Sequence, residues 1–302
     1  MISRLLLSGR LAEAVANTLA ARLPELSVRA RQQPEPDDLA WADSYSAFQW
    51  PESARTVSFD WAHSMGAGVD TFLDHEAQIG VLTRTIGRMP ERMGTFVLAL
   101  LLERSHHLAE YAQDQRRREW HPRSLDPLPE RATVLGTGAV AEGIAGVLTR
   151  HGLEVTGVNR SGRPAAQFTT VVPWAEKGSA LDGCSLLVLA LPASRSTVGI
   201  VDEAVLDRLA SAQLVNVGRG STLNLTALRR ALAEGTVTQA HLDVFEREPL
   251  DAGSWLWTHP AVRVTPHVAA VTTVDEAAEA IAVTYEDLRA GRTPASLVTD
   301  RG

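Results

Sequence analysis

Thr133-Val134-Leu135-Gly136-Thr137-Gly138-Ala139-Val140-Ala141-Glu142-Gly143-Ile144-Ala145 reads as a short apolar strand, a glycine turn and the start of a helix. Gly136 permits a tight turn. Gly138 lets an anionic group approach the backbone where the helix begins and N–H groups are free. Ala141 stands in the place of a third glycine, at a helix–strand contact that needs a small side chain. The pattern is the G-x-G-x-x-A form of a dinucleotide-binding turn. An ordinary structural turn is the competing reading, and the strand before it and helix after it favour the dinucleotide.

The next strand ends Thr156-Gly157-Val158-Asn159-Arg160-Ser161-Gly162-Arg163. A site for NAD(H) shows a carboxylate here, on the ribose hydroxyl. Asn159, Arg160, Ser161 and Arg163 offer no carboxylate but two guanidiniums and a hydroxyl, which suit a 2′-phosphate. NADP(H) is therefore preferred and NAD(H) remains possible, against the plain alternative of a solvated basic loop.

Working outward, strand-like runs recur at residues 133–135, 154–158, 186–190, 214–217, 238–242 and 262–264, separated by stretches that suit helices. That alternation predicts an α/β domain with a parallel sheet. Residues 1–75 alternate in the same way, with strands expected at 3–7, 41–44 and 56–59 and a helix at 11–23. A long helix is expected over 91–118, ended by the Pro-rich stretch 122–129, and a last one over 275–289.

The chain has 302 residues, is 45% hydrophobic and 22% charged, and so reads as globular rather than disordered. Its apolar runs at 96–102 and 186–193 are far short of the ~20 residues of a membrane helix. Residues 1–9 lack the pattern of a secretory leader, so a cytoplasmic protein is expected. A net charge of -7 disfavours binding to nucleic acid or to anionic membranes. The single cysteine, Cys184, excludes an internal disulfide and reads as a small core residue. Lys177 is the only lysine among 29 basic residues, which excludes chemistry needing several lysines. The histidines show no metal-ligand spacing, and no metal is assigned.

Three further segments place a polar group just past a strand: Asn216-Val217-Gly218-Arg219-Gly220, Asp243-Val244-Phe245-Glu246-Arg247-Glu248-Pro249, and Thr265-Pro266-His267-Val268-Ala269-Ala270. Strand ends of a doubly wound sheet share one edge, where ligands bind. With the glycine turn and the upstream Met65-Gly66-Ala67-Gly68-Val69-Asp70, these segments resemble the D-isomer-specific 2-hydroxyacid dehydrogenases, in order over residues 64–273. Within the family, the Asn159-Arg160-Ser161 strand end, Trp50 and the Trp257…His267 segment look most like the glyoxylate/hydroxypyruvate reductase A type.

The resemblance implies two Rossmann-like or flavodoxin-like domains with parallel sheets and an active site in the cleft between them. Residues 1–92 with 270–302 would bind substrate, and 93–269 would bind NAD(P). It implies NAD(P)H-dependent reduction of a small 2-keto acid to the D-2-hydroxy acid. His267 would be the general acid, since imidazole exchanges protons near neutrality. Glu248 would hold its charged form, and Arg219 would bind the substrate carboxylate and polarise the carbonyl. Gly66, Ala67 and Gly68 would add backbone N–H groups, and Trp50 looks like a substrate-pocket position, although a core aromatic is its commoner role. Ala139 and Val140 would open the helix beneath the pyrophosphate, and Leu191 and Pro192 would border the adenosine half. Val217, Gly218, Arg219, Asp243, His267 and Ala269 would surround the nicotinamide, with Asp243 accepting from its carboxamide. The helix at 91–118 resembles the element such enzymes use to form homodimers.

The chain departs from the family pattern at Ala141 and at Asn224, where an acid is usual. Two other functions stay open: a dinucleotide-sensing binding protein or corepressor of the same fold, and a dehydrogenase for a bulkier 2-keto acid. Formate oxidation is disfavoured, because that chemistry uses an amide where Glu248 stands.

Overall fold

Leu5, Leu6 and Leu7 have no solvent exposure, because the strand that carries them, β1 (Arg4–Ser8), lies inside a parallel sheet. The computed structural model describes residues 2–75 and 78–299. The chain divides into two units, Met1–Met89 with Val271–Gly302, and Pro90–Ala270, against expected bounds at 92/93 and 269/270.

In unit 1, β1 is followed by α1 (Ala12–Arg22), β2 (Ser27–Arg31), α2 (Pro36–Trp41), β3 (Ser44–Ala47), β4 (Phe59–Ser64), α3 (Asp70–Leu73) and β5 (Ile79–Arg84). The five strands run parallel in the order β2-β1-β3-β4-β5. Val15 and Leu19 of α1 pack with Ile281 and Tyr285 of the last helix, Val274–Arg289, on one side of this sheet. A box of Thr273 and Glu276 starts that helix by satisfying its first N–H groups.

Unit 2 runs α4 (Met89–Ser105), α5 (Leu108–Arg117), β6 (Arg131–Leu135), α6 (Ala139–Arg150), β7 (Glu154–Asn159), β8 (Thr170–Pro173), α7 (Lys177–Leu181), β9 (Leu186–Leu189), α8 (Glu203–Leu206), β10 (Ala212–Asn216), α9 (Leu225–Glu234), β11 (Val237–Leu242) and β12 (Val262–Val264); the helix Val274–Arg289 is α10. Its seven strands are parallel, in the order β12-β11-β10-β9-β6-β7-β8. One face is covered by α4 and α6 through Val97, Leu101, Ile144 and Leu148, the other by α7, α8 and α9 through Leu181, Leu206 and Leu228. Cys184 lies in the second of these cores. Both units are thus α/β with parallel sheets, as the sequence pattern implies. Among the described residues no helix is long and apolar enough to cross a membrane.

Several elements differ from expectation. The strands expected at 41–44 and 56–59 are Ser44–Ala47 and Phe59–Ser64. Pro36 at the helix start, with Glu35 and Asp38 closing a capping box, turns the segment up to Trp41 into α2 instead. β2, β5 and β8 were not expected. In β5 a glycine interrupts the apolar run, and Gly80 is needed because a Cβ there would lie 2.6 Å from the Asp60 carbonyl oxygen. The single helix expected at 91–118 is two, broken where His107 adopts φ 53°, a left-handed conformation that ends helical hydrogen bonding. The chain then folds back, and Arg123 pairs with the buried Asp114 at 2.5 Å. Asp114, Glu119 and His121 also bring one ligand atom each within 4.8 Å of one another, a grouping that no sequence spacing reveals.

Two histidines are buried without charge compensation. His63 in β4 bonds Thr83 and Thr85 through its ring nitrogens at 2.7 and 2.9 Å, and burial pushes it down to about 3. His241 in β11 has no partner on either ring nitrogen among the described residues; burial, then the charge of Arg263, push it to about 4. An unfolded imidazole titrates near 6.5. The unfolded chain therefore takes up these protons first, and stability falls as pH drops below 6.5 towards the folded values. Between pH 6.5 and 5 each histidine is expected to cost about 2 kcal/mol. Urea midpoints measured across that window should shift less in His63→Gln than in the wild type, and an unchanged slope would contradict the assignment.

Candidate active site

At the end of β6, Gly136 has φ 104° and a Cβ there would lie 2.8 Å from the Ala190 carbonyl oxygen, so only glycine fits. Gly138 is the N-cap of α6, which has no side-chain cap, and a Cβ at Gly138 would meet nothing within 4 Å. The first turn, with Ala139 and Val140, therefore presents N–H groups to open space, as a pyrophosphate requires. Ala141 is 1% exposed and packs in the core, which explains why alanine serves at the third glycine position.

Asn159, at the end of β7, has both ends of its side chain engaged. Its Oδ1 accepts from the N–H groups of Ser161 (3.1 Å) and Gly162 (2.6 Å), and its Nδ2 donates to Thr137 Oγ1 (3.0 Å) and the Arg163 carbonyl (2.8 Å). It ties the basic loop to the glycine turn. Arg160, Ser161 and Arg163 are exposed, and neither guanidinium has a carboxylate partner among the described residues.

After β9, Leu191 is half-buried beside Gly136, and Pro192 is exposed. A Cβ on Gly218 would lie 2.7 Å from the Leu191 carbonyl oxygen, so the loops after β9 and β10 touch backbone to backbone. Beyond β10, Asn216 shapes the turn: its Oδ1 accepts from Gly218 N–H (3.1 Å) and its Nδ2 donates to the Arg219 carbonyl (3.1 Å), which Thr222 Oγ1 also reaches (2.7 Å). The Arg219 guanidinium donates to the Gly218 carbonyl at 2.8 Å. Gly220 is pressed against the loop after β11, where a Cβ would sit 1.9 Å from the Phe245 carbonyl carbon.

That loop carries Glu248. Its Oε1 accepts from the Phe245 N–H at 2.9 Å, and its Oε2 lies 2.8 Å from His267 Nδ1. His267 adopts φ 55°, a left-handed conformation that is uncommon outside glycine. Asp243 holds it there. The His267 N–H donates to the Asp243 carbonyl at 2.8 Å, while the carboxylate accepts from Thr265 Oγ1 (2.5 Å), Val268 N–H (3.0 Å) and Ala269 N–H (2.9 Å). Three of the roughly four acceptor positions of the carboxylate are thus used within the protein. Val217 and Ala269, expected at the nicotinamide, are core residues whose N–H groups are spent on Leu189 and Asp243.

In unit 1, Gly66 N–H turns back to Ser64 Oγ (3.3 Å), Ser64 Oγ donates to the Gly68 carbonyl (2.7 Å), and Arg84 donates to the Ala67 carbonyl (3.2 Å). The N–H groups of Ala67 and Gly68 have no protein acceptor among the described residues. Trp50 is 7% exposed, enclosed by Tyr45, Phe59 and Phe72 and stacked on His75, which is a core aromatic's position.

The structure thus joins Glu248 to His267 directly and sets Arg219 on the neighbouring loop. Sequence reasoning missed the side chains that shape these loops. Asn216 and Ser64 were legible as polar residues two before a glycine. Thr265 carried no such signal, because its partner lies far away in the chain. Asn224 accepts from the N–H groups of Thr226 and Ala227 and caps α9, a task asparagine performs as well as aspartate.

A family model described as the D-isomer specific 2-hydroxyacid dehydrogenase, NAD binding domain, matches residues 98–269. The chain is 33% identical, over 93% of its own length and 92% of the relative's, to a glyoxylate/hydroxypyruvate reductase A of Serratia proteamaculans. A D-isomer specific 2-hydroxyacid dehydrogenase family protein from Aeromonas salmonicida superimposes with TM-score 0.88 at 30% identity, covering 100% of both chains. A D-isomer specific 2-hydroxyacid dehydrogenase from Xanthobacter autotrophicus, solved with NADPH and MES, gives 0.86 at 27% identity, covering 100% of this chain and 99% of that one. Match, coverage and the ordered strand-end loops agree: the chain belongs to the D-isomer specific 2-hydroxyacid dehydrogenase family of oxidoreductases.

Proposed function

We propose that this chain reduces a small 2-keto acid of the glyoxylate or hydroxypyruvate kind to the D-2-hydroxy acid, with NADPH as its preferred cofactor. The observation that carries this reading is the His267–Glu248 pair at 2.8 Å, formed at the strand-end edge that also bears the open glycine turn. The Serratia relative's name and the NADPH bound to the Xanthobacter protein support it. When bound, NADPH supplies the hydride to the keto carbon.

The residues of the chain do the rest. Glu248 occupies His267 Nδ1, which leaves Nε2 to deliver a proton to the carbonyl oxygen. The adjacent carboxylate keeps the ring oriented for that transfer. Arg219 pairs with the substrate carboxylate and withdraws charge from the carbonyl as its oxygen becomes negative. The Glu248–His267 pair favours this reading over a protein that only senses a dinucleotide. We also assign α4, α5 and the segment after them to a homodimer face, because Leu108, Trp120 and Leu125 there are exposed apolar side chains.

Arg160 tests the cofactor assignment. Losing a charge-assisted contact to the 2′-phosphate in Arg160→Ala should raise KM for NADPH by about tenfold or more. KM for NADH should stay unchanged. Equal losses for the two cofactors would remove the 2′-phosphate from the account. Initial rates on glyoxylate, hydroxypyruvate and bulkier 2-keto acids test the substrate assignment; a preference for the bulky ones would replace it.

A further inference from the structure

By family resemblance the Asp243 carboxylate would meet the nicotinamide carboxamide, but its hydrogen bonds run to the chain itself. Asp243 follows β11 and is 2% exposed. Thr265 follows β12, one register step beyond the Leu242–Val264 pair, so the two residues meet at neighbouring strand ends. Asp243 Oδ1 accepts from Thr265 Oγ1 at 2.5 Å and from Val268 N–H at 3.0 Å, and Oδ2 accepts from Ala269 N–H at 2.9 Å. The main chain of Asp243 is engaged as well. Its N–H donates to the Asn216 carbonyl at 3.0 Å, and its carbonyl accepts from His267 N–H at 2.8 Å. Among the described residues, only Oδ2 keeps an unused acceptor position.

These bonds bracket one residue. Thr265 lies two positions before His267, Val268 and Ala269 lie directly after it, and all three bond one carboxylate. His267 keeps φ 55° between them. Its side chain is 53% exposed, so packing does not place the imidazole. Glu248 fixes one ring nitrogen, and the backbone beneath fixes where the ring starts. Ala269 is buried in the core of unit 2, which anchors the far end of the loop. A buried carboxylate held by a hydroxyl and two amides makes a stiff template for such a loop.

We infer, on the reading that His267 is the proton donor, that Thr265 and Asp243 are positioning residues which act through His267, and that the carboxylate works on the backbone of this loop rather than on the carboxamide. The Thr265 hydroxyl holds Oδ1 against the Val268 amide, and the carboxylate in turn holds the left-handed turn at His267. Without that bracket the turn relaxes and the imidazole leaves its place.

The experiment measures kcat with glyoxylate and NADPH affinity by fluorescence titration in Thr265→Val, Thr265→Ser and Asp243→Asn. Valine has the shape of threonine without its hydroxyl. Thr265→Val should lower kcat about tenfold and leave NADPH affinity unchanged, and Thr265→Ser should restore kcat. Asp243→Asn turns an NH2 group towards a backbone N–H and should lower kcat about 10²-fold. That factor should be the same with NADPH and with its reduced 3-acetylpyridine analogue, which has no carboxamide N–H to offer. A wild-type kcat in Thr265→Val, or a serine variant as impaired as the valine one, overturns the proposal while leaving the keto-acid reductase intact. A loss in Asp243→Asn that vanishes with the analogue, or that falls on NADPH affinity instead of kcat, gives the carboxylate to the carboxamide and also overturns it. A wild type that binds NADPH and reduces no 2-keto acid overturns the positioning role together with the function on which it rests.

Discussion

Replacing His267 by asparagine should lower kcat for keto-acid reduction by about 10²–10⁴-fold, the usual worth of a positioned proton donor. Asparagine is the informative choice. His267 sits at φ 55°, and asparagine tolerates that left-handed conformation better than alanine does. The Asp243 staple, which bonds backbone groups on both sides of His267, should therefore persist. NADPH affinity, measured by fluorescence titration, should change little, because the pyrophosphate turn at Gly136–Gly138 is built elsewhere. A variant that keeps most of its kcat removes the acid role from His267. A variant that loses NADPH binding in proportion assigns the residue to cofactor binding instead.

Gly220→Ala should be the most damaging small change in unit 2. The added methyl would lie 1.9 Å from the Phe245 carbonyl carbon and 2.3 Å from the Glu246 backbone nitrogen, and neither is the end of a flexible side chain. One of two loops has to move: the one bearing Arg219 or the one bearing Glu248. Overpacking alone costs about 1–3 kcal/mol. The larger expected effect is on chemistry, since misplacing a catalytic group by ~1 Å can cost about 10²-fold. Gly235→Ala is the control. It has φ 80° at the end of α9, and a Cβ there meets nothing within 4 Å. It should cost about 1 kcal/mol from backbone strain and leave kcat/KM unchanged. Comparable activity in the two variants would contradict the loop contact.

What the sequence makes legible is the part of the molecule governed by local rules. The apolar strands of unit 2, their alternation with helices and the glycine turn can all be read from neighbours in the chain. Arg219, Glu248 and His267 are legible because each closes a strand of one parallel sheet, and parallel strands put such ends on one edge. β2, β5 and β8 are not, because they carry polar, proline or glycine residues that local pattern assigns to loops. The break at His107 follows from backbone conformation and from a tail that folds back to bond its ring at Ser124, a partner no helical periodicity reveals. The hydrogen-bond layer behind the site is hidden for the same reason. Thr265 and Asp243 meet only because β11 and β12 are neighbours, and Asn159 reaches Thr137 only because β6 and β7 are.

The proposed reduction requires Arg219, Glu248 and His267 to act together on a keto acid beside a bound nicotinamide. Its most direct test is the fate of NADPH when the purified protein is mixed with hydroxypyruvate. Absorbance at the nicotinamide band should fall in step with formation of D-glycerate, one molecule per cofactor oxidised. NADPH that binds and stays reduced, or a product of the opposite hand, would contradict the account.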